Sequence, residues 1–286
     1  MELKKSKKSK KDIIDSVSKY IFLICACASV AAVVLISLYM IISGLPAIFK
    51  IGFKEFFLGT IWNPTGADPK FGILPMILSS IFATFGAILI GVPIGIFVAV
   101  FLAEIAPKKL AKAVKPAVEL LAGIPSVIYG LLGMLIVVPF VAQVFNLSFG
   151  MNLFTAILIL SVMILPTIIN IAQVSLESVP KEYKEASLAL GATDITTIFK
   201  IMIPAAKSGI ITSIVLGVGR AIGETMAVIM VAGNVVNMPK FFESVRFLTT
   251  GIAMEMSYAE GLHRDALFSI GLVLFVFILI INIVIN

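Results

Sequence analysis

Long runs of apolar residues dominate this chain, and short polar segments separate them. Tyr20–Lys50, Phe71–Ala103, Leu120–Leu176, Ser208–Pro239 and Ala266–Asn286 hold these runs. The third contains no charge and is long enough for two crossings and a turn. About 20 apolar residues cross the hydrocarbon core as a helix. The pattern therefore predicts an all-α, polytopic membrane protein with about six helices, near 20–43, 73–104, 118–142, 153–176, 207–235 and 264–285. A transmembrane barrel alternates apolar and polar positions over about ten residues. These runs are apolar on every face, and helix is the other way to satisfy a backbone in lipid.

One polar segment, 177–206, is patterned rather than merely polar. Glu185-Ala-Ser-Leu-Ala-Leu-Gly191 is followed by nine residues and then Ile201-Met-Ile-Pro204. Lys181–Leu190 reads as a short helix that exposes Glu182 and Glu185 and offers Ala186, Leu188 and Ala189 to a groove. Gly191 suits a left-handed helix stop. A second helix starts near Thr193 or Asp194, both good caps. Pro204 marks entry to the fifth span. Such a helix–glycine–helix elbow can seat in the groove of a soluble partner.

Composition agrees with this class. The chain is 60% hydrophobic and 13% charged, against about 25% charged in a soluble domain, and its mean hydropathy is +1.12. Basic residues then orient it. Lys4, Lys5, Lys7, Lys8, Lys10, Lys11 and Lys19 precede the first helix. With Lys108, Lys109, Lys112, Lys115, Lys181, Lys184, Lys200 and Lys207 they place fifteen cations on one side of a six-span chain, and six fall on the other. The positive-inside rule predicts that both termini are cytoplasmic, with residues 1–19 as a basic N-terminus and 20–286 as the transmembrane domain. The lysine run has no interleaved aromatics and leads into a span, which argues against nucleic-acid binding. The first apolar run exceeds a signal h-region and reads as an uncleaved anchor.

Little catalytic chemistry is present. No phosphate loop, H-E-x-x-H or G-x-S-x-G occurs. Cys25 and Cys27 point about 200° apart on a helix and read as small apolar filler. The lone His263 reads as a solvated residue of the external loop 236–263, since one histidine without cysteine is a poor metal site. The chain is expected not to be an enzyme and to carry no cofactor.

Arg220 and Glu224 are the sharpest feature inside a span. In Gly217-Val-Gly-Arg-Ala-Ile-Gly-Glu-Thr225 they stand four apart, on one face of a continuous helix. Arg220 then lies about 20 Å from a helix start at Lys207. Ionisable groups at that depth face a bundle interior or a wet pathway. Gly219 and Gly223 form a step that lets another helix approach closely. Two readings stay open: an ion pair that clamps helices, and an anion pathway in which Glu224 tempers Arg220. Gly91-Val-Pro-Ile-Gly95 and the stretch Gly123, Pro125, Gly130 permit kinks and close packing, or line a gate.

The polar segment resembles the EAA loop of ABC importer permeases, with Ser187 and Ile203 as mild departures. Phe71-Gly-Ile-Leu-Pro75, Glu119-Leu-Leu-Ala-Gly-Ile-Pro-Ser-Val-Ile-Tyr-Gly130, Gly219-Arg-Ala-Ile-Gly-Glu-Thr-Met-Ala227 and Gly261-Leu-His263 are similar to the PstC-type permeases of phosphate-specific ABC importers. That resemblance implies a type I importer permease fold in a prokaryotic plasma membrane. It implies a PstA-like permease partner, a dimer of ATP-binding subunits on the cytoplasmic loops, and an extracytoplasmic phosphate-binding protein. Arg220 and Glu224 would line the substrate pathway, and Glu185, Ala186 and Gly191 would couple to the ATPase. Permeases for sulfate or molybdate, and an ATP-independent channel or secondary transporter, are the alternatives. A channel has no use for the elbow, and no inverted repeat is visible.

Overall fold

The computed structural model describes residues 10–285. Lys4, Lys5, Lys7 and Lys8 of the basic run lie outside them. The chain begins with α1 (Lys10–Ile51) and α2 (Phe53–Leu58). A two-residue hairpin follows, β1 (Trp62–Asn63) against β2 (Lys70–Phe71). Next come α3 (Leu74–Val100), which runs on as a π-helical turn Phe101–Ile105, and α4 (Lys108–Gly123). After α5 (Ser126–Leu132) a second π turn, Gly133–Val137, leads into α6 (Val138–Val144), and α7 spans Leu153–Glu177. The elbow comprises α8 (Lys181–Ala189), α9 (Asp194–Thr197), a third π turn Ile198–Met202 and α10 (Ile203–Ala205). The chain closes with α11 (Lys207–Gly223), α12 (Met226–Val231), α13 (Leu248–Glu255) and α14 (Gly261–Ile285).

Val17–Ile51, Leu74–Ile105, Ser126–Val144, Leu153–Glu177 and Gly261–Ile283 are long and apolar enough to cross a membrane. The sixth crossing is built differently. α11 meets Asp194–Ala205 of the polar elbow at a 71° bend, and this bent pair is the sixth candidate crossing; at its other end α11 breaks at Glu224 before α12.

Two predicted helices are corrected. The third span does not run 118–142. Ile124 turns extended, with ψ 128°, and the crossing starts at Ser126. Pro125 explains this, because its ring pushes the preceding residue out of the helical region. The lysine-bearing α4 is thereby a separate amphipathic helix, with Val118 buried against Leu102 and Ile169. The fifth span does not run unbroken over 207–235 either: it breaks at Glu224, whose ψ is 131°. α1 extends beyond 20–43 at both ends and carries Pro46 inside it, since backbone hydrogen bonding does not stop where apolar sequence stops.

The core is organised on α7. Ile157, Leu160, Ile164 and Ile168 are buried there. Added Cβ atoms at Gly91 and Gly95 of α3 would lie 2.7 Å from Ile164 Cδ1 and 2.8 Å from Ile168 Cγ2. The Gly91–Gly95 stretch is thus a packing seam in which isoleucines fill the space that glycine leaves. Gly130 packs as closely: a Cβ added there would lie 2.8 Å from the Ala227 Cα of α12. α1 instead leans mainly on α14, where Ser269 Oγ donates to the Gly44 carbonyl across the contact. Over residues 19–36, Cys25 and Cys27 included, it is exposed.

Candidate functional site

The elbow is built as its residues dictate. Pro180 precedes α8, and Gly191 ends it with φ 87°, a backbone setting that favours glycine. Thr193 caps α9, its hydroxyl accepting from the Thr196 N–H at 3.3 Å. Ser187 and Thr197 hydroxyls meet at 2.8 Å and tie α8 to α9. Lys184 Nζ reaches the buried Glu104 carboxylate at 2.6 Å, which ties α8 to the end of α3. Thr197, Ile198 and Met202 are buried as the base of the elbow. Glu185 and Ala186 are exposed, as are Tyr183, Leu190, Ile195 and Phe199. An apolar tip on a polar loop is a surface made for a partner.

The intramembrane pair is not a pair. Arg220 lies in the last turn of α11, half-buried, and its Nη1 donates to Thr167 Oγ1 of α7 at 3.1 Å. No ion pair joins it to Glu224 or to another carboxylate among the described residues. The four-residue spacing presumes a continuous helix, and the break at Glu224 removes it. Glu224 Oε1 instead accepts from the Ala227 N–H at 3.1 Å, at the start of α12. The Glu224 carbonyl accepts from Thr249 Oγ1 at 2.9 Å. Both ends of the break therefore have hydrogen-bond partners, which a span in lipid requires. Gly219 and Gly223 carry no close helix contact: nothing among the described residues lies within 4 Å of an added Cβ at either. Arg220 is thus a cation held by a neutral hydroxyl beside an uncovered glycine face.

Residues 91–286 match the model of the family described as binding-protein-dependent transport system inner membrane component. The chain belongs to this family. It is 41% identical over 267 residues to the "Probable ABC transporter permease protein YqgH" of Bacillus subtilis, covering 90% of this chain and 86% of that one. It is 36% identical to the phosphate transport system permease protein PstC of Pasteurella multocida, over 75% of this chain and 72% of that one. The PstC protein of Haemophilus influenzae is 34% identical over 86% of this chain and 82% of its own. In fold, the permease resembles a subunit of a bacterial alginate ABC transporter, with TM-score 0.65, 20% identity and 95% coverage of both chains. It also resembles the methionine ABC transporter MetNI, with TM-score 0.60, 22% identity and coverage of 74% of this chain and 92% of that one. The fold is that of type I ABC importer permeases, and the chain is a multi-pass membrane component of such a transport system.

One cluster of this permease escaped the sequence reading. His263 is not a solvated loop residue: it is buried, with Nε2 2.8 Å from Glu255 Oε2. Trp62 Nε1 donates to the same oxygen at 2.9 Å, and Arg246 Nη1 to Glu255 Oε1. Arg246 Nε also donates to the Asn234 carbonyl at 2.9 Å. A single buried carboxylate so gathers the β1–β2 hairpin, the segment after α12, α13 and the start of α14. The chain's one tryptophan and one histidine were the only signal, and their distance in sequence hid it.

Proposed function

We propose that this chain is the PstC-type subunit of an ATP-driven importer that moves inorganic phosphate into the cell. Arg220 carries the reading. It is a guanidinium inside a broken span, with a hydroxyl for a partner and no carboxylate paired to it among the described residues. Guanidinium binds phosphate oxygens in a bidentate fork, and the Thr167 hydroxyl stands beside it as a second donor. Glu224 keeps its carboxylate on the α12 backbone, so it shapes the site rather than blocking the cation. The PstC relatives support phosphate as the cargo.

The partners follow from surfaces left uncovered. The glycine face beside Arg220 suits a second, PstA-like permease that closes the pathway. The exposed Glu185, Ala186 and Leu190 of the elbow suit an ATP-binding subunit, with a dimer serving the two permeases. An extracytoplasmic phosphate-binding protein delivers cargo at the opposite face. Both termini and the elbow are cytoplasmic by the charge bias, so a cysteine at Ser187 will be labelled only from inside; labelling from outside would reverse the orientation.

The test is uptake of radiolabelled phosphate into vesicles that hold the assembled complex. Uptake should require ATP and the ATP-binding subunit, and excess sulfate or molybdate should leave it unchanged. ATP-independent uptake would make the chain a channel or secondary transporter. Competition by sulfate or molybdate would change the anion.

A further inference from the structure

On the elbow's side of the membrane, α4 packs on the ends of α3 and α7 through Val118 and leaves a gap beside that contact. Between them is a cavity of about 540 Å³. Its walls are unlike each other. Lys108, Ala111, Lys112 and Lys115 recur at helical spacing along the α4 side, with Lys109 beside them. Leu102 and Ala103, from the π turn that ends α3, and Ala106 just after it form an apolar wall opposite. Gln173 and Glu177, in the last two turns of α7, complete the lining.

Two observations mark this as more than a solvated charge run. Lys115 is 3.9 Å from Glu177, while Lys108, Lys109 and Lys112 make no ion pair among the described residues. Gln173 is 2% exposed; its Nε2 donates to Glu177 Oε1 at 2.7 Å, and its Oε1 is buried with no hydrogen-bond partner. A buried acceptor without a donor is costly. The cavity therefore offers cations for an anion, acceptors for a hydroxyl and an apolar wall, at the level where two spans end.

We infer that this cavity binds the headgroup of an anionic glycerophospholipid, with its phosphodiester on the α4 lysines, its glycerol hydroxyl on Gln173 Oε1 and Glu177, and its acyl side along Leu102, Ala103 and Ala106. The four lysines outweigh the one carboxylate, which selects an anionic headgroup over a zwitterionic one. Basic pockets between spans on the cytoplasmic side take lipid headgroups by this chemistry. α4 is the seat because Pro125 detaches it from the span that follows, leaving an amphipathic helix to lie in the interface. The inference does not depend on which anion the permease carries.

Free phosphate shares the chemistry of the phosphodiester, so the experiment separates the two. The full chain, purified in detergent, is titrated with phosphatidylglycerol and with phosphatidylcholine, and bound lipid is read by native mass spectrometry. Phosphatidylglycerol should be retained selectively. Each of Lys108→Gln, Lys112→Gln and Lys115→Gln should weaken it about fivefold, as expected for loss of one cation near an anionic headgroup. Lys200→Gln and Lys207→Gln, on the same face outside the cavity, should leave it unchanged. Ala111→Trp fills the cavity without changing charge and should also abolish selectivity; circular dichroism confirms that each variant is folded. Equal losses for cavity and control lysines would reduce the effect to surface charge and overturn the site. Retention in Ala111→Trp would overturn it too. Displacement by millimolar inorganic phosphate as readily as by added phosphatidylglycerol would assign the cavity to a soluble anion and overturn the lipid.

Discussion

α7 and the α11–α12 span lie against each other, yet one continues through a proline and the other breaks without one. α7 carries Pro166 inside a 25-residue helix. Its faces are occupied: α3 seats its glycines on Ile164 and Ile168, and Gly217 of α11 packs 3.0 Å from Ile168 Cγ1, measured from an added Cβ. The neighbouring span has no proline between Lys207 and Val231 and still leaves the helix at Glu224. There the freed groups have substitutes, the Glu224 carboxylate for an N–H and the Thr249 hydroxyl for a carbonyl. The difference teaches that a break inside a membrane is decided by who receives the freed hydrogen bonds, more than by local propensity. It also separates tasks. The sealed seam holds the fold, and the break holds Arg220.

The half of the broken span that lies away from the elbow should be the more vulnerable part. The segment after α12 is anchored through Arg246 to Glu255, and both side chains are mostly buried. Glu255→Ala removes the acceptor for Arg246, Trp62 and His263 together. Unpairing a buried charge costs about 3–5 kcal/mol, so the thermal midpoint of the purified chain should fall steeply. A midpoint within experimental error of the parent would remove this anchor from the comparison.

Overpacking the sealed seam should cost less. Gly95→Leu drives a side chain into Ile168, at about 1–3 kcal/mol. Gly219→Leu, on the open glycine face, should leave the isolated chain as stable as before and weaken co-purification with the partner permease. If both variants lose the same stability in the isolated chain, the two regions do not differ as described.

Most of the continuous structure was legible in the sequence, because helices in lipid need only length and apolar faces. The turn of the elbow was legible, because Gly191 announces a stop and Thr193 or Asp194 a cap by their backbone and side-chain chemistry; the end of α8 at Ala189 and the π turn that interrupts the second helix were not. The break before Ser126 was written in Pro125, yet an apolar run without charge on both sides masked it. The break at Glu224 had no such mark. Gly223-Glu224-Thr225 reads as helix until Thr249, twenty-five residues away, supplies its hydroxyl. An i, i+4 argument is only as good as the helix beneath it, and the Arg220–Glu224 pair failed for that reason. His263 was misplaced by the same kind of distant contact.

Two milder substitutions sharpen the account of the break. Thr249→Val keeps the shape of a buried side chain but removes the donor to the Glu224 carbonyl. An unsatisfied buried acceptor costs about 1–3 kcal/mol, and hydrogen exchange at the amides of α12 should speed accordingly; unchanged exchange would show that the carbonyl has another partner. Glu224→Gln keeps an oxygen for the Ala227 N–H, so stability should change by less than about 1 kcal/mol. A larger loss in a melting curve would reveal a charge partner for Glu224 and restore the clamp.

The central claim is that Arg220 is a free cation for the transported anion and not half of a structural ion pair. The direct measurement is phosphate uptake by vesicles carrying the assembled complex with Arg220→Gln, with the melting of the same variant recorded beside it. Because the Thr167 hydroxyl is the one side-chain partner of Arg220 among the described residues, its removal strands no carboxylate among them. The account predicts a complex that assembles and melts like the parent and takes up no phosphate. Uptake at the parental rate, or a collapse of assembly that Glu224→Gln repairs, would contradict it.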